Sequence, residues 1–273
     1  MVSVAGVISA RHATNAAVSA PLNGRRSAAC AKSFRVKAKQ APRWAGDGDF
    51  TRLRANLKNV RLTRGEVLHP VGVPIKHVYF PESGMVSLLT VMKSGELIET
   101  AIVGREGVAG GWVAIDGRNA NTQSTVQIEG SAWQIPTAKF LEINKASDSF
   151  QPAIKGVILF QAQQSAACHA IHSIDSRMCR WLLLSQDVTG SDQIPLTQEF
   201  LSHMLGVQRS SVSLCAHTLQ KTGLIQYARG KIKIQDRKGL EECACECYAV
   251  TREYIASVIP PERRTDSPRG VVL

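Results

Sequence analysis

No apolar run in this sequence approaches the roughly 20 residues that a membrane-spanning helix needs, so a bilayer-spanning protein is not expected. There is no P-loop, no HExxH, no Ser-His-Asp order and no pair of carboxylates in a Gly-rich loop, which argues against an enzyme of those classes. A secretory signal is also missing, because Arg11 interrupts the short apolar start. Among the seven cysteines there is no CxxC pair. An odd cysteine count without a signal peptide fits a reducing cytoplasm.

The charge is unevenly distributed. The formal net charge is +11, yet residues 1–46 hold eight of the 33 Lys and Arg and none of the 22 Asp and Glu. The remainder of the chain is therefore close to balanced, at +3. The segment 1–46 is rich in Ala and Ser, has no periodicity, and is expected to be a disordered basic tail with some transit-peptide character. Three cysteines, Cys243, Cys245 and Cys247, form the sequence CACEC. On a continuous helix Cys243 and Cys247 would share a face and Cys245 would point away. With no histidine nearby in sequence and no zinc-type spacing, no metal is expected there.

The most informative stretch is Pro195–Asp236, PLTQEFLSHMLGVQRSSVSLCAHTLQKTGLIQYARGKIKIQD. Thr197 suits a helix N-cap and Glu199 the positive end of the same helix. Phe200, Leu201, Met204 and Leu205 recur at helical spacing, and Gly206 breaks the helix at a turn. A second helix from Gln208 to about Lys221 would bury Val212, Cys215, Ala216 and Leu219. Its other side, Gln208, Arg209, Ser210, Ser211, Ser213 and His217, is polar and acid-free. Two short strands follow, turning at Gly230 with Arg229 and Lys231 at the tip. Helix, turn, helix and basic hairpin together predict a winged helix-turn-helix, with the second helix in the DNA major groove and the wing on the backbone.

These residues resemble the DNA-binding domain of the Crp/Fnr family of bacterial transcription regulators. LTQEFLSHMLGVQRSSVS corresponds to that family's helix-turn-helix and GLIQYARGKIKIQD to its wing. Arg209 stands where family members carry a base-reading arginine. Ser210 replaces an acidic reader and Leu214 a second arginine, so the family's best-known operator is not implied. The N-terminal cysteine cluster of the iron–sulfur members is absent. Members usually begin near the equivalent of Phe50, which implies that 1–46 is a basic arm or precedes the true start.

Upstream, apolar residues alternate in Val60–Leu62, Val78–Phe80, Val86–Leu88, Ile98–Ile102, Thr125–Ile128 and Ala132–Ile135, with turns expected at Arg64-Gly65, Pro70–Gly72, Ser83-Gly84 and Ser94-Gly95. Many short strands predict a small barrel or jelly roll, and RGEVLHPVG and VYFPESGMVSLLTV resemble the family's cyclic-nucleotide-binding β-roll. In the family a Gly-Glu cassette holds ribose and an arginine holds phosphate. Here Arg105, Glu106 and Gly107 occupy the cassette's start, and Thr122 falls at the arginine position, with Arg118 nearby but displaced. A buried phosphate without a cation is costly, so cyclic AMP binding is not expected. Trp112 and the 104–111 loop are candidates to line a different pocket.

Residues 151–174 read as a long helix with a near-heptad stripe of Ile154, Val157, Gln161, Gln164, Cys168 and Ile171. The resemblance assigns it to dimerisation. His169 and His172, three apart, lack an evident third ligand.

The expected architecture is α+β: a basic tail (1–46), a β-roll sensor (47–149), a dimerisation helix (150–175), a winged helix-turn-helix domain (176–259, ending in a helix over 240–259) and a second tail (260–273). The implied partners are a palindromic double-stranded operator, a second copy of the chain and RNA polymerase. No cofactor is implied and the effector is open. The alternative is a nucleotide- or redox-responsive sensor acting through thiols or a protein partner.

Overall fold

The computed structural model describes residues 47–117, 119–148 and 150–258. The two expected tails and Arg118 lie outside the described residues. In chain order the elements are α1 (Asp47–Arg54), β1 (Lys58–Leu62), β2 (Val67–His69), β3 (His77–Val91), β4 (Leu97–Val103), α2 (Val113–Asp116), β5 (Gln123–Pro136), α3 (Thr137–Lys145), α4 (Phe150–Ile171), α5 (Ile174–Thr189), β6 (Gln193–Ile194), α6 (Gln198–Leu205), α7 (Arg209–Lys221), β7 (Ile225–Ala228), β8 (Lys231–Ile234), α8 (Arg237–Cys243) and α9 (Cys247–Val258).

The N-terminal half is an antiparallel sheet in the order β1-β5-β3-β4, with β2 also paired to β5. Four of the expected short strands merge into two long ones. Val78–Phe80 and Val86–Leu88 both belong to β3, and Thr125–Ile128 and Ala132–Ile135 both belong to β5. The expected turn at Ser83-Gly84 is instead a bulge, where the pairing of β3 with β5 slips on either side of Ser83. Gly84 has φ 78°, and a Cβ on Gly130 would stand 2.2 Å from the Ser83 carbonyl oxygen. The crossing therefore needs glycine on both strands. Ser-Gly is a turn dipeptide in sequence, and the bulge uses the same backbone freedom without reversing the chain.

The long helix ends sooner than its apolar pattern suggested. α4 stops at Ile171, and Ser173 caps a new helix by accepting a bond from the Ser176 amide at 3.3 Å. α5 buries Met178, Cys179, Trp181, Leu182 and Leu183. One apolar core joins these to Met85 and Leu89 of β3, to Leu201 and Met204 of α6, and to Val212 and Leu219 of α7. Sheet and helix-turn-helix thus share a core through α5.

A carboxyl group sits inside this junction. Glu99 of β4 is buried, although alternation placed Ile98 and Ile102 inward; the register of β3 on β4 shifts between Leu88 and Leu89. Its Oε1 accepts a bond from Trp181 Nε1 at 2.7 Å, and Ser87 Oγ donates to Oε2. Burial raises its pKa from 4.5 to about 7, outweighing the two donors, which favour the ionised form.

The C-terminal segment is two helices, not the single helix expected over 240–259. Asp236 caps α8 by accepting from the Gly239 amide, and the chain is extended at Ala244 before α9 begins. Arg237 pairs with Asp187 of α5 at 2.9 Å, and the Tyr248 hydroxyl donates to the same carboxylate at 2.8 Å, so both helices are tied to α5.

Because folded Glu99 holds its proton more tightly than an unfolded glutamate, its contribution to stability is full below about pH 4.5 and is lost as pH rises through about 7. Glu99→Gln keeps an acceptor for Trp181 and cannot ionise. Its stability relative to wild type should rise between pH 5 and pH 9 by on the order of 3 kcal/mol. Urea unfolding across that range checks this, and parallel pH profiles for the two proteins would refute it.

Candidate nucleic-acid interface

α6 begins as its sequence directs: Thr197 Oγ1 accepts from the Phe200 amide at 3.2 Å. Its end is fixed twice. Gly206 takes the left-handed conformation (φ 61°) and its amide returns to the Ser202 carbonyl. Arg177, a buried cation on α5, donates to the Leu205 carbonyl at 2.8 Å. A charged donor at a helix C-terminus is favourable, and here it anchors the turn to α5. α7 then buries Val212, Cys215, Ala216 and Leu219. The wing is a three-stranded sheet in the order β6-β8-β7, with Gln193–Ile194 supplying a strand that the sequence pattern did not show. Arg229 (φ 49°) and Gly230 (φ 71°) make its tip, both left-handed, as a two-residue hairpin turn requires. Gln220 Oε1 accepts from the Tyr227 amide at 2.8 Å, locking the wing to the end of α7.

Gln208, Arg209, Ser210 and His217 are exposed on α7 and its cap, Ser211 and Ser213 are half-buried, and Thr197 is exposed at the start of α6. Ser213 Oγ donates to the Arg209 carbonyl. Arg229 and Lys231 are exposed at the wing tip. No acidic residue lies in the first turn of α7. Leu214, absent from the expected contact set, is 70% exposed one turn beyond Ser210. The sequence signals were its place outside the Val212–Leu219 apolar stripe and its position where the family resemblance puts a second arginine. An apolar side chain on such a face can contact a thymine methyl.

The residues expected at an effector pocket separate. A cleft between the sheet and α4 is lined by Leu88, Ala101, Gly110, Trp112, Thr122 and Ile158, among others, and no charged side chain is among its described lining residues. Trp112 Nε1 is buried there with no hydrogen-bond partner among the described residues. Glu106 lines a different cleft, with Gln161, Arg180 and Thr251, and Arg105 lines neither. Gly107 is buried, its amide bonded to the Gly104 carbonyl.

The expected dimer stripe of α4 is in part engaged within the chain itself. Ile154 and Cys168 are buried inside this chain. Gln161 donates to the Ile102 carbonyl, and Gln164 donates to Cys247 Sγ. Val157 is half-buried, and only Ile171, 78% exposed, is open. Near-heptad spacing identifies a buried stripe and does not say whether the cover comes from the same chain or from another.

Residues 176–243 match the family of Crp-like helix-turn-helix domains. No curated protein matches the chain. Among solved structures, a regulator assigned to the Crp/Fnr family from Eubacterium rectale is 18% identical, with TM-score 0.59, covering 73% of this chain and 94% of its own. FixK2 of Bradyrhizobium japonicum is 15% identical with the same TM-score, over 69% of this chain and 98% of its own. The c-di-GMP-responsive regulator CLP of Xanthomonas campestris is 15% identical with TM-score 0.53, over 70% and 100%. The chain thus has the fold of Crp/Fnr transcription regulators. Its C-terminal part is a Crp-like helix-turn-helix domain, the DNA-binding module of that class. Among the described residues no helix is long and apolar enough to cross a membrane.

Arg209→Ala should weaken binding to a preferred site by about 1–3 kcal/mol and relax preference at one base pair per half-site. Gel shifts against operators scanned base by base measure this. A uniform loss on every sequence would instead make Arg209 a phosphate contact.

Proposed function

We propose that the chain is a homodimeric, sequence-specific transcription regulator acting on DNA in the cytoplasm, with a roll tuned to a signal other than cyclic AMP. The observation that carries this is the exposed, acid-free face of α7 flanked by the cationic wing tip. The donors suit base edges and phosphates, and Arg229 and Lys231 suit the backbone beside the groove. The proposed DNA contacts are Thr197, Gln208, Arg209, Ser210, Ser211, Ser213, His217, Arg229 and Lys231, with Leu214 added. One recognition helix contacts too few base pairs to select a genomic site, whereas two related by a dyad read half-sites about 34 Å apart on a palindrome. RNA polymerase is the protein partner such a complex would meet.

The dyad is placed on the face of α4 opposite the expected stripe. Leu159, Ala162, Gln163, Ala166 and Ala170 fall on one side of the helix and are exposed. Small side chains permit two helices to approach closely, and Leu159, 58% exposed among the described residues, would gain burial from a second copy. Ala162 also lines the uncharged cleft of the roll, so an effector there would touch the proposed seam. The described lining residues, none of them charged, favour a small uncharged effector over a phosphate, which needs a cation when half-buried.

Genome-wide binding of the tagged protein should yield a palindromic motif; scattered, motif-free binding would sink the proposal. Calorimetry with cyclic AMP or cyclic GMP at micromolar concentration should show no saturable heat, and a saturable site would overturn the effector assignment. Leu159→Glu with Ala166→Glu places charge on exposed positions of the monomer and opposes like charges across the proposed seam. Light scattering should then report a monomer, operator binding should fall with it, and circular dichroism should stay unchanged. A variant that remains dimeric moves the seam elsewhere.

A further inference from the structure

The break between α8 and α9 reverses what the CACEC sequence suggested. Cys243 is exposed, while Cys245 and Cys247 are buried and turn toward α4, where they meet Cys168. Cys168 and His172 are four apart on and just beyond α4, and so share a face. One ligand atom from each of Cys168, His172, Cys245 and Cys247 lies within 4.8 Å of all the others. The sequence concealed this because Cys168 and His172 stand more than 70 residues before the CxC pair.

We propose that Cys168, His172, Cys245 and Cys247 form a tetrahedral site for a thiolate-preferring divalent metal, zinc in the first place, which clamps α4 to the α8–α9 junction. Tetrahedral zinc, bonded at about 2.3 Å to sulfur and 2.0–2.1 Å to histidine nitrogen, sets its sulfurs about 3.8 Å apart and each sulfur about 3.5 Å from the nitrogen. The Sγ atoms of Cys168 and Cys245 are 3.6 Å apart, and Cys247 Sγ is 3.5 Å from His172 Nδ1. The first spacing is far beyond a disulfide bond of about 2.05 Å.

The surroundings are those of a metal site. His172 Nε2 is 3.0 Å from Glu246 Oε2. A carboxylate behind the far ring nitrogen holds a ligating histidine in one tautomer, with the near lone pair free. Gln164 Nε2 donates to Cys247 Sγ at 3.0 Å, as suits a sulfur that carries negative charge. Three thiolates on a dication leave one negative charge, and Arg177 and Arg180 act electrostatically on Cys168 and Cys245 from α5. On binding, the thiol protons pass to solvent. Buried cysteines often serve as small hydrophobes, as Cys215 does against the Met178 sulfur. That role would not require a histidine nitrogen facing a sulfur with a carboxylate behind it.

Three thiolates and one imidazole are a soft, closed ligand set, suited to zinc as a structural ion and leaving no position for a substrate. The site stands independently of whether α7 reads DNA. The full-length protein, purified anaerobically and fully reduced, should carry zinc at one equivalent per chain. After zinc removal, cobalt(II) titration should give visible d–d bands of a tetrahedral thiolate site, saturating at one equivalent. Cys245→Ser and Cys247→Ser should abolish the bands, Cys243→Ser should leave them unchanged, and Glu246→Gln should weaken zinc affinity about 10–100-fold. Failure of the reduced wild-type chain to take up either metal would overturn the proposal. So would bands that survive the loss of Cys245 and Cys247.

Discussion

The structure depends on the buried joint at Glu99. Its carboxyl holds the Trp181 indole of α5 and the Ser87 hydroxyl of β3, and Ser165 of α4 faces its backbone carbonyl. Sheet, central helix and helix-turn-helix therefore meet at one polar group inside an apolar core. Burying a carboxyl is costly and must be repaid by well-placed donors. A position that satisfies Trp181 and Ser87 together fixes how α5 lies on the sheet. α5 in turn carries Arg177, which holds the end of α6, and Asp187, which holds α8 and α9 through Arg237 and Tyr248. The orientation of the reader helix is set by this chain of contacts, because the domains share a core and are not joined by a free linker.

Much of this was legible in the sequence where the signal is local. Thr197, Gly206, Gly223 and Gly230 punctuate the helix-turn-helix and wing, since caps and left-handed turns are decided within four residues. The inward face of α7 follows from helical period alone. Some failures were local, such as the cap at Ser173 that ends the long helix early, and others were not. Ser83-Gly84 reads as a turn until Gly130 is seen packed against it. Gln193–Ile194 is too short to register as a strand before β8 pairs with it. Glu99 breaks the alternation of its own strand because its partners lie on β3 and α5.

The CACEC segment shows the same limit from the other side. On a continuous helix only two of its cysteines could share a face. An extended Ala244 ends α8 and lets the next helix start afresh at Cys247, so Cys245 and Cys247 point together. Nothing within the segment itself distinguishes the two conformations. The contact with Cys168 and His172 of α4 does.

α4 is thus committed on both sides. Its inner stripe, Ile154, Gln161, Gln164 and Cys168, is taken up by the roll, by β4 and by the cysteine cluster. Its outer stripe of Leu159 and alanines is exposed, and is the face proposed for a second copy. A helix held near its C-terminal end against the α8–α9 junction cannot rotate without carrying that junction with it. An effector in the cleft beside Ala162 would press on that same helix from its N-terminal half. Coupling between sites requires an element with two arrangements that each site biases differently. Among the described helices, α4 borders both the cleft, through Ile158 and Ala162, and the cysteine cluster, through Cys168, so coupling between those two places would have to pass along it.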